Sequence, residues 1–279
     1  MFTRAIVRPP APNFGEGLTT ADLGAPNYER ALEQHAAYCA ALERCGLTLT
    51  KLEPDPNYPD STFVEDTAIL IRKITPSLTV GLLPRVHSGP LMLTEPCVVL
   101  TRPSASSRAG EVTIIRDVLA DFYPSLLSIE SPGTLDGGDV CEAGNHFFIG
   151  LSERTNEGGA QQLAGMLASF NYTSSCVDIR GVEGILHLKS RLAYLGDNRL
   201  VVIEALASRA EFSGYDLVSV NSAEEYAANC VRVNEQVLVA AGYPMFEGEL
   251  RDLGYQTIAL EITEFQKMDG GLSCLSLRF

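Results

Sequence analysis

Five short motifs, each with a polar or charged residue, recur along the chain, and each opens onto an apolar, strand-like run. The later motifs lie about 42 to 49 residues apart, and the first gap is about 73 residues. They are Val64-Glu65-Asp66, Gly137-Gly138-Asp139, Leu186-His187-Leu188, Ala228-Asn229-Cys230 and Leu272-Ser273-Cys274. Such a period is typical of rings of similar units, such as propellers. It favours five strand-and-helix units, although ordinary α/β folds give similar spacings by chance.

The long first gap contains a segment that departs from the period, residues 71–96. Removing most of it would bring the gap close to the others. It predicts a long surface loop or an extended hairpin, inserted at about residues 72–96 into a single domain spanning residues 1–279. Its apolar side chains should pack against something. A partner subunit, and hence a homodimer, is one option, and a segment from a wrong gene model is another. Its basic side chains are Arg72, Lys73, Arg85 and His87, against the single acid Glu95.

Local patterns alternate between strands and helices along the whole chain. Apolar alternation or short apolar runs predict strands at residues 5–7, 47–52, 63–71, 97–101, 231–233 and 274–279. Spacing of three and four residues predicts helices at residues 28–45, 111–122, 159–170 and 223–228. This alternation predicts an α/β fold.

Charge and hydropathy narrow the possible partners. The chain of 279 residues carries 21 basic and 35 acidic side chains, a formal net charge of -14. Nucleic acid and anionic membrane surfaces require a basic footprint, so neither is expected as a partner. No apolar run approaches the roughly 18 residues of a membrane span, and the N-terminus does not read as a secretory signal. The acidity suits a cationic small molecule, or serves solubility alone.

The cysteines indicate a reduced compartment. There are seven, an odd number at irregular spacings and without a Cys-x-x-Cys pair, so neither a zinc ribbon nor a disulfide framework is expected. Free thiols are the norm in the cytoplasm, which is the predicted location.

Cys274 and His187 are the two candidates for catalytic chemistry. Cys274 follows the turn Asp269-Gly270-Gly271, which can aim the next side chain sharply, so it is either a nucleophile or a small core residue. His187 lies in an apolar run, where a core histidine is the ordinary interpretation. It would become catalytic if a carboxylate oriented it, and the turn containing Asp136 could supply one.

The densest cluster of acids beside apolar residues contains Asp60, Glu65 and Asp66. Carboxylates that converge at the end of a buried strand form a site for a cation or a metal. A guanidinium group fits such a site well, because paired carboxylates match its fork of donors.

Five segments in order resemble the dimethylarginine dimethylaminohydrolases, a family of the guanidine-modifying (pentein) superfamily. The similarity covers nearly the whole chain. The segments are Pro59-Asp60-Ser61 through Phe63-Val64-Glu65-Asp66, Thr134-Leu135-Asp136-Gly137-Gly138-Asp139-Val140, His187-Leu188-Lys189-Ser190, Ala227-Ala228-Asn229-Cys230 and Asp269-Gly270-Gly271-Leu272-Ser273-Cys274. The resemblance implies a five-bladed α/β propeller with its site in the central channel. It also implies hydrolysis of asymmetrically N-methylated arginines to citrulline and a methylamine, through a covalent cysteine adduct and without cofactor or metal.

The resemblance also assigns roles to residues. Cys274 would be the nucleophile, His187 the general acid and base, and Asp136 the residue that orients His187. The loop of residues 15–19 would act as a lid. Asp60 and Asp66 would hold the guanidinium, Glu65 and the carbonyls of Leu18 and Met268 would line the pocket, and Arg108 and Arg154 would bind the amino-acid end of the substrate.

One segment departs from the family pattern, and three alternative functions stay open. The segment 72–96 is longer than the hairpin expected there, and a disturbed hairpin would displace Asp66 and Arg108. The alternatives are another guanidine-modifying enzyme (an arginine deiminase or an amidinotransferase), a catalytically silent protein that binds arginine derivatives, and a metal protein that uses Cys274 and His187. Two ligands alone make no structural zinc site.

Overall fold

The computed structural model describes residues 1–71 and 96–279, which contain five three-stranded sheets of one repeated design. In each sheet the middle strand pairs antiparallel with the inner strand and parallel with the outer strand. A helix connects the middle and outer strands of every sheet, because a parallel pair requires a crossover. This architecture confirms the predicted five-bladed α/β propeller.

The strands are β1 (Arg4–Val7), β2 (Thr48–Lys51), β3 (Ala68–Ile71), β4 (Cys97–Leu100), β5 (Ser125–Ser128), β6 (Val140–Ala143), β7 (His146–Leu151), β8 (Thr173–Asp178), β9 (Leu192–Gly196), β10 (Arg199–Ile203), β11 (Asp216–Val220), β12 (Val231–Val233), β13 (Gln236–Ala240), β14 (Gln256–Leu260) and β15 (Leu277–Arg278). The helices are α1 (Tyr28–Arg44), α2 (Glu111–Leu119), α3 (Glu157–Ser169), α4 (Glu204–Ala207), α5 (Pro244–Asp252) and α6 (Thr263–Gln266). No helix among the described residues is both long and apolar enough to span a membrane.

The helix α1 illustrates how the sequence pattern produces an element. Asn27 caps it, because its side chain accepts a hydrogen bond from the Arg30 N–H. Ala31, Tyr38 and Leu42 form the face that is buried against the sheets. The helix ends before Gly46, whose φ of +90° suits glycine.

The ring closes through the two ends of the chain. Strand β15 pairs antiparallel with β1, with Ala5 opposite Arg278 and Ile6 opposite Leu277. Strand β2 completes the same sheet on the other side of β1. The fifth blade is therefore built from residues more than 200 positions apart in the sequence.

A short 3-10 turn precedes the inner strand of each sheet, and these turns occupy the places of the five sequence motifs. Turns in sequence-distant blades touch one another, so their side chains meet at the centre of the ring. The turns are Val64–Thr67, Gly137–Asp139, Leu188–Ser190, Glu225–Ala228 and Ser273–Leu275.

Two predicted strands are too long. The strand predicted at residues 63–71 begins only at Ala68, and the strand predicted at residues 274–279 is confined to Leu277–Arg278. Glu65 and Asp66 are both buried, and each has polar partners on other blades. A straight strand would have turned one of them away from its partners, whereas the turn directs both inward.

The predicted insertion at residues 72–96 lies, apart from Pro96, outside the described residues. The strands that flank it are paired normally, with Ile71 opposite Cys97. The hairpin that carries Asp66 therefore keeps its register up to the insertion.

Candidate active site

His187 and Asp136 form a buried pair at the centre of the ring. The His187 Nε2 lies 3.1 Å from the Asp136 Oδ2, and the two side chains are 8% and 1% exposed. Burial alone would lower the pKa of His187, but the nearby carboxylates of Asp66, Asp139 and Asp136 raise it to about 9. His187 is therefore an imidazolium at neutral pH, with Asp136 fixing its orientation.

Asp66 stands beside this pair and is ionised. Its Oδ1 accepts the Gly138 N–H at 2.8 Å, and its Oδ2 accepts from Arg108 Nη1 at 2.6 Å. Burial alone would raise the pKa of Asp66, but the charges of His187 and Arg108 lower it to about 2. Gly138 is required here, since a Cβ would lie 2.8 Å from the Asp66 Oδ1 and 2.9 Å from the His187 ring.

Arg108 is turned towards carboxylates of its own chain. Besides Asp66, its guanidinium binds the Glu111 carboxylate through Nε at 3.1 Å and through Nη2 at 2.8 Å. Its Nη2 also approaches the carbonyls of Asp60 and Phe63. In this arrangement Arg108 holds Asp66 in place. Its assigned contact with the amino-acid end of a substrate stays a prediction.

The carboxylates and the imidazole could in principle hold a metal. Ligand atoms of Asp66, Asp136 and His187 lie within 4.8 Å of one another, the one such group among residues 1–71 and 96–279. A metal ligand must be a neutral imidazole, whereas the neighbouring carboxylates raise the pKa of His187, and Asp66 is already paired with Arg108. This set of side chains therefore suits a metal ion poorly.

Cys274 lies in the turn Ser273–Leu275 and is 9% exposed. Its backbone N–H bonds to the Gly271 carbonyl at 3.2 Å. Burial and the negative charges of Glu65 and Asp66 raise the pKa of the Cys274 thiol to about 12. At neutral pH it is therefore a neutral thiol.

Asp60 joins the site to the segment of residues 15–19. The Leu18 N–H lies 3.1 Å from both carboxylate oxygens of Asp60. Close packing at Gly17 supports this contact, because a Cβ there would lie within 3.3 Å of the Met268 Cε. Burial raises the pKa of Asp60, and the charges of Arg108 and Arg154 oppose the rise. Leu18 thus binds Asp60 directly, Met268 packs beside Gly17, and the charge of Arg154 acts on Asp60.

Glu65 points away from this group and forms the floor of the site. Its carboxylate binds Lys189 Nζ at 2.7 Å, Ser273 Oγ at 2.8 Å and Arg278 Nη2 at 3.3 Å. Beyond the floor, a cavity of about 580 Å³ opens on the far side of the ring. The expected direct contact of Glu65 with a substrate stays a prediction, since its side chain is engaged with these three groups.

Several residues that stabilise the site in the structure are not assigned a function by the sequence patterns. Asp139 and Asn229 are both buried. They lie inside two of the five sequence motifs, and that position is the sequence signal that marks them. Glu111 and Arg278 pair with the site from outside the motifs, and no local pattern marks them.

The chain is similar over nearly its whole length to known proteins. The chain is 41% identical to the N(G),N(G)-dimethylarginine dimethylaminohydrolase of Pseudomonas aeruginosa over 100% of both chains. It is 32% identical to the enzyme of that name from Streptomyces coelicolor, over 99% of this chain and 96% of the other. No protein-family model matches.

Solved structures give the same result. A cysteine-to-serine mutant of the Pseudomonas aeruginosa enzyme, complexed with citrulline, superposes with a TM-score of 0.87 at 40% identity and full coverage of both chains. The N-terminal domain of the arginine dihydrolase ArgZ superposes with a TM-score of 0.78 over 99% of this chain and 97% of that one. Its 18% identity supports a common fold only. Identity above 40% along the whole length decides the relationship: the chain belongs to the dimethylarginine dimethylaminohydrolase family.

Proposed function

We propose that this chain hydrolyses N-ω-methylated arginines, asymmetric dimethylarginine and monomethylarginine, to citrulline and the corresponding methylamine. The observation that carries the proposal is the buried His187–Asp136 pair beside the ionised Asp66 and the Cys274 thiol. These groups supply an acid, a cation-binding carboxylate and a nucleophile in one water-poor channel.

The substrate guanidinium would bind between Asp66 and Asp60. Both carboxylates are buried; Asp66 lies within the turn Val64–Thr67, and Asp60 precedes that turn in the chain. A guanidinium carbon is a poor electrophile because its charge is delocalised, so its plane and protons must be fixed before attack. The carboxylates would perform this task, and Arg154, whose charge acts on Asp60, would contact the substrate's carboxylate.

Binding of the cation would also activate Cys274. Of the two negative charges that raise the pKa of the thiol, those of Glu65 and Asp66, the charge of Asp66 would face the incoming guanidinium. A bound positive charge compensates that charge, so the pKa of Cys274 falls and its proton leaves to solvent. The nucleophile is therefore formed only when the pocket is occupied.

The chemistry then proceeds in two halves. The thiolate forms a bond to the guanidinium carbon, and the C–N bond to the methylated nitrogen breaks as His187 donates a proton to the departing amine. The neutral His187 then takes a proton from water, which attacks the S-alkylthiouronium adduct. The carbon–sulfur bond breaks, which releases citrulline and restores the Cys274 thiol.

Relatives and cysteine chemistry support the proposal. One related dimethylarginine dimethylaminohydrolase was solved with citrulline, the expected product, and another as an adduct with S-methyl-L-thiocitrulline. All seven cysteines of this chain are free thiols. Free thiols suit a reducing compartment, so the cytoplasm is the proposed location.

The test is citrulline formation from asymmetric dimethylarginine by the wild type and by Cys274→Ser. We expect turnover by the wild type and a loss of about 1000-fold or more in the variant, because a serine hydroxyl is a far weaker nucleophile here. Cys176→Ser, which changes the exposed cysteine, is the matched control and should keep full activity. Activity retained in Cys274→Ser would overturn the proposal.

The same assay separates the alternative functions. Faster turnover of arginine than of its methylated forms would indicate a deiminase. Transfer of the amidino group to an added amine would indicate an amidinotransferase. Calorimetric binding of dimethylarginine without citrulline formation would indicate a silent binding protein.

A further inference from the structure

The side-chain amide of Asn229 is bonded to both segments that carry the reacting groups. Its Oδ1 accepts the Ser273 N–H at 3.0 Å, directly before Cys274. Its Nδ2 donates to the Lys189 carbonyl at 3.0 Å, two residues after His187. The same Nδ2 lies 3.3 Å from the Ser273 Oγ. Asn229 is 4% exposed, so water does not replace these bonds.

The surroundings leave this amide no freedom to move. Gly271 packs against it so closely that a Cβ there would lie 2.4 Å from the Asn229 Cγ. In the chain, Asn229 directly follows the turn Glu225–Ala228, which fixes its backbone. The asparagine amide also carries its acceptor and its donor on the same carbon atom, as these two bonds require. Aspartate would place an oxygen against the Lys189 carbonyl.

We propose that Asn229 is a positioning residue, which fixes the spacing between Cys274 and His187 during the reaction. The inference rests on the proposed hydrolysis. Asn229 lies behind the turn that bears the nucleophile and binds no group assigned to the substrate. Losing it should therefore slow the chemical step and leave substrate binding nearly unchanged. Displacements of about 1 Å between reacting groups cost about 100-fold in rate.

Asn234 provides a matched control. Its amide makes the same pattern of bonds, accepting the Phe2 N–H at 2.7 Å and donating to the carbonyls of Phe2 and Cys45 at 3.0 and 2.9 Å. These bonds tie the turn between β12 and β13 to Phe2 and Cys45, which precede β1 and β2, and none of them is made to His187 or Cys274. A purely structural effect of losing an amide that joins two segments should appear in both variants.

The experiment compares Asn229→Ala with Asn234→Ala by steady-state kinetics on asymmetric dimethylarginine. We expect kcat to fall about 100-fold in Asn229→Ala with KM within about threefold of wild type. Asn234→Ala should keep kcat, whatever it loses in thermal stability. Should Asn229→Ala fail to fold, Asn229→Ser and Asn229→Asp take its place. An unchanged kcat, or a rise in KM alone, would overturn the inference.

A second readout is independent of turnover. A cationic haloacetamidine can occupy the carboxylate pocket and alkylate Cys274, forming a carbon–sulfur bond and releasing halide and the thiol proton. The rate of modification at Cys274, followed by mass spectrometry, should fall about tenfold in Asn229→Ala and stay unchanged in Asn234→Ala. Equal rates would overturn the inference even if the wild type forms no citrulline. Absence of citrulline from the wild type would instead overturn the proposed function.

Discussion

Three buried carboxylates surround His187 and decide its protonation state. Asp136 is bonded to its Nε2, and Asp66 and Asp139 act on it through their charges. Asp139 is fully buried, accepting the Leu188 N–H at 2.9 Å and the Ser152 hydroxyl at 2.7 Å. It therefore acts on His187 without touching the pocket, both by charge and by holding the next residue in place.

Replacing Asp139 should make His187 a weaker base. Asp139→Asn removes one negative charge and keeps an oxygen for the Leu188 N–H, so the pKa of His187 should fall from about 9 by about one unit or more. Activity that needs the imidazolium should then be lost at lower pH than in the wild type. An NMR titration of the His187 ring measures the pKa directly, with His187→Gln identifying the signal.

The same shift predicts a change in stability. The pKa of His187 is about 6.5 in the unfolded chain and about 9 in the folded protein. Protonated His187 therefore stabilises the folded protein fully below pH 6.5, and this contribution disappears as the pH rises through about 9. In Asp139→Asn the loss should occur at lower pH. Asp178→Asn, which changes an exposed carboxylate paired with Arg180, is the control. A His187 titration identical in Asp139→Asn and wild type would contradict the electrostatic role.

At the scale of elements, the five central turns carry the chemistry. Their positions could be predicted from the sequence, because each motif combines polar residues with a following apolar run. Their conformation could not be predicted. At residues 63–71, for example, the apolar residues after Asp66 make the whole stretch resemble one strand, whereas the strand begins at Ala68. The turn Val64–Thr67 exists because Glu65 and Asp66 find partners on other blades. Those partners are distant in the sequence, and a local pattern contains no information about them.

The segment of residues 15–19, assigned as a lid, is fastened to the turn that precedes the nucleophile. The Asp269 Oδ2 accepts the Thr20 N–H at 2.5 Å and the Thr20 hydroxyl at 3.0 Å. Thr19 also donates its hydroxyl to the Lys267 carbonyl at 2.9 Å. One carboxylate thus joins the lid segment to the residues leading into Gly270 and Cys274.

Asp269→Asn should loosen this connection without straining the backbone. Asp269 has a φ of +57°, a conformation that asparagine tolerates well, so the variant mainly removes charge from the hydrogen bonds. Charge-assisted hydrogen bonds contribute about 1.5–3 kcal/mol, and we therefore expect KM for dimethylarginine to rise about tenfold. Hydrogen exchange at the Thr20 amide should accelerate as well.

The control for the lid is Asp252→Asn, at the exposed end of α5. It makes the same chemical change far from residues 15–19 and should leave KM and exchange at Thr20 unaltered. Normal KM together with unchanged Thr20 exchange in Asp269→Asn would refute the role of Asp269 in holding the lid segment.

At the scale of the whole molecule, the acidic composition acquires a partial explanation. Among the acids of a chain with net charge -14, Asp66 and Glu65 are buried at the centre and paired with cations. Asp60 is capped by the Leu18 N–H, and Asp136 faces His187. The sequence predicts Asp60, Glu65 and Asp66 as one cluster and Asp136 in a separate turn that could orient His187. The sequence could not show that Glu65 lies at the floor of the site, apart from Asp60 and Asp66. Glu65 meets Arg278 only after the ring closes, and these two residues are 213 positions apart in the sequence.

Ring closure itself should be a main source of stability. Deleting residues 277–279 removes the pairing of β15 with β1, the Arg278–Glu65 contact and the stacking of Phe279 on Phe122 and Tyr123. Burial of Leu277 and Phe279 alone contributes about 3 kcal/mol or more, so the free energy of unfolding in urea should fall by at least that amount. Phe279→Ala, which keeps the strand, should lose less, because β15 still closes the ring. A truncated chain as stable as the wild type would show that four blades and an open edge suffice.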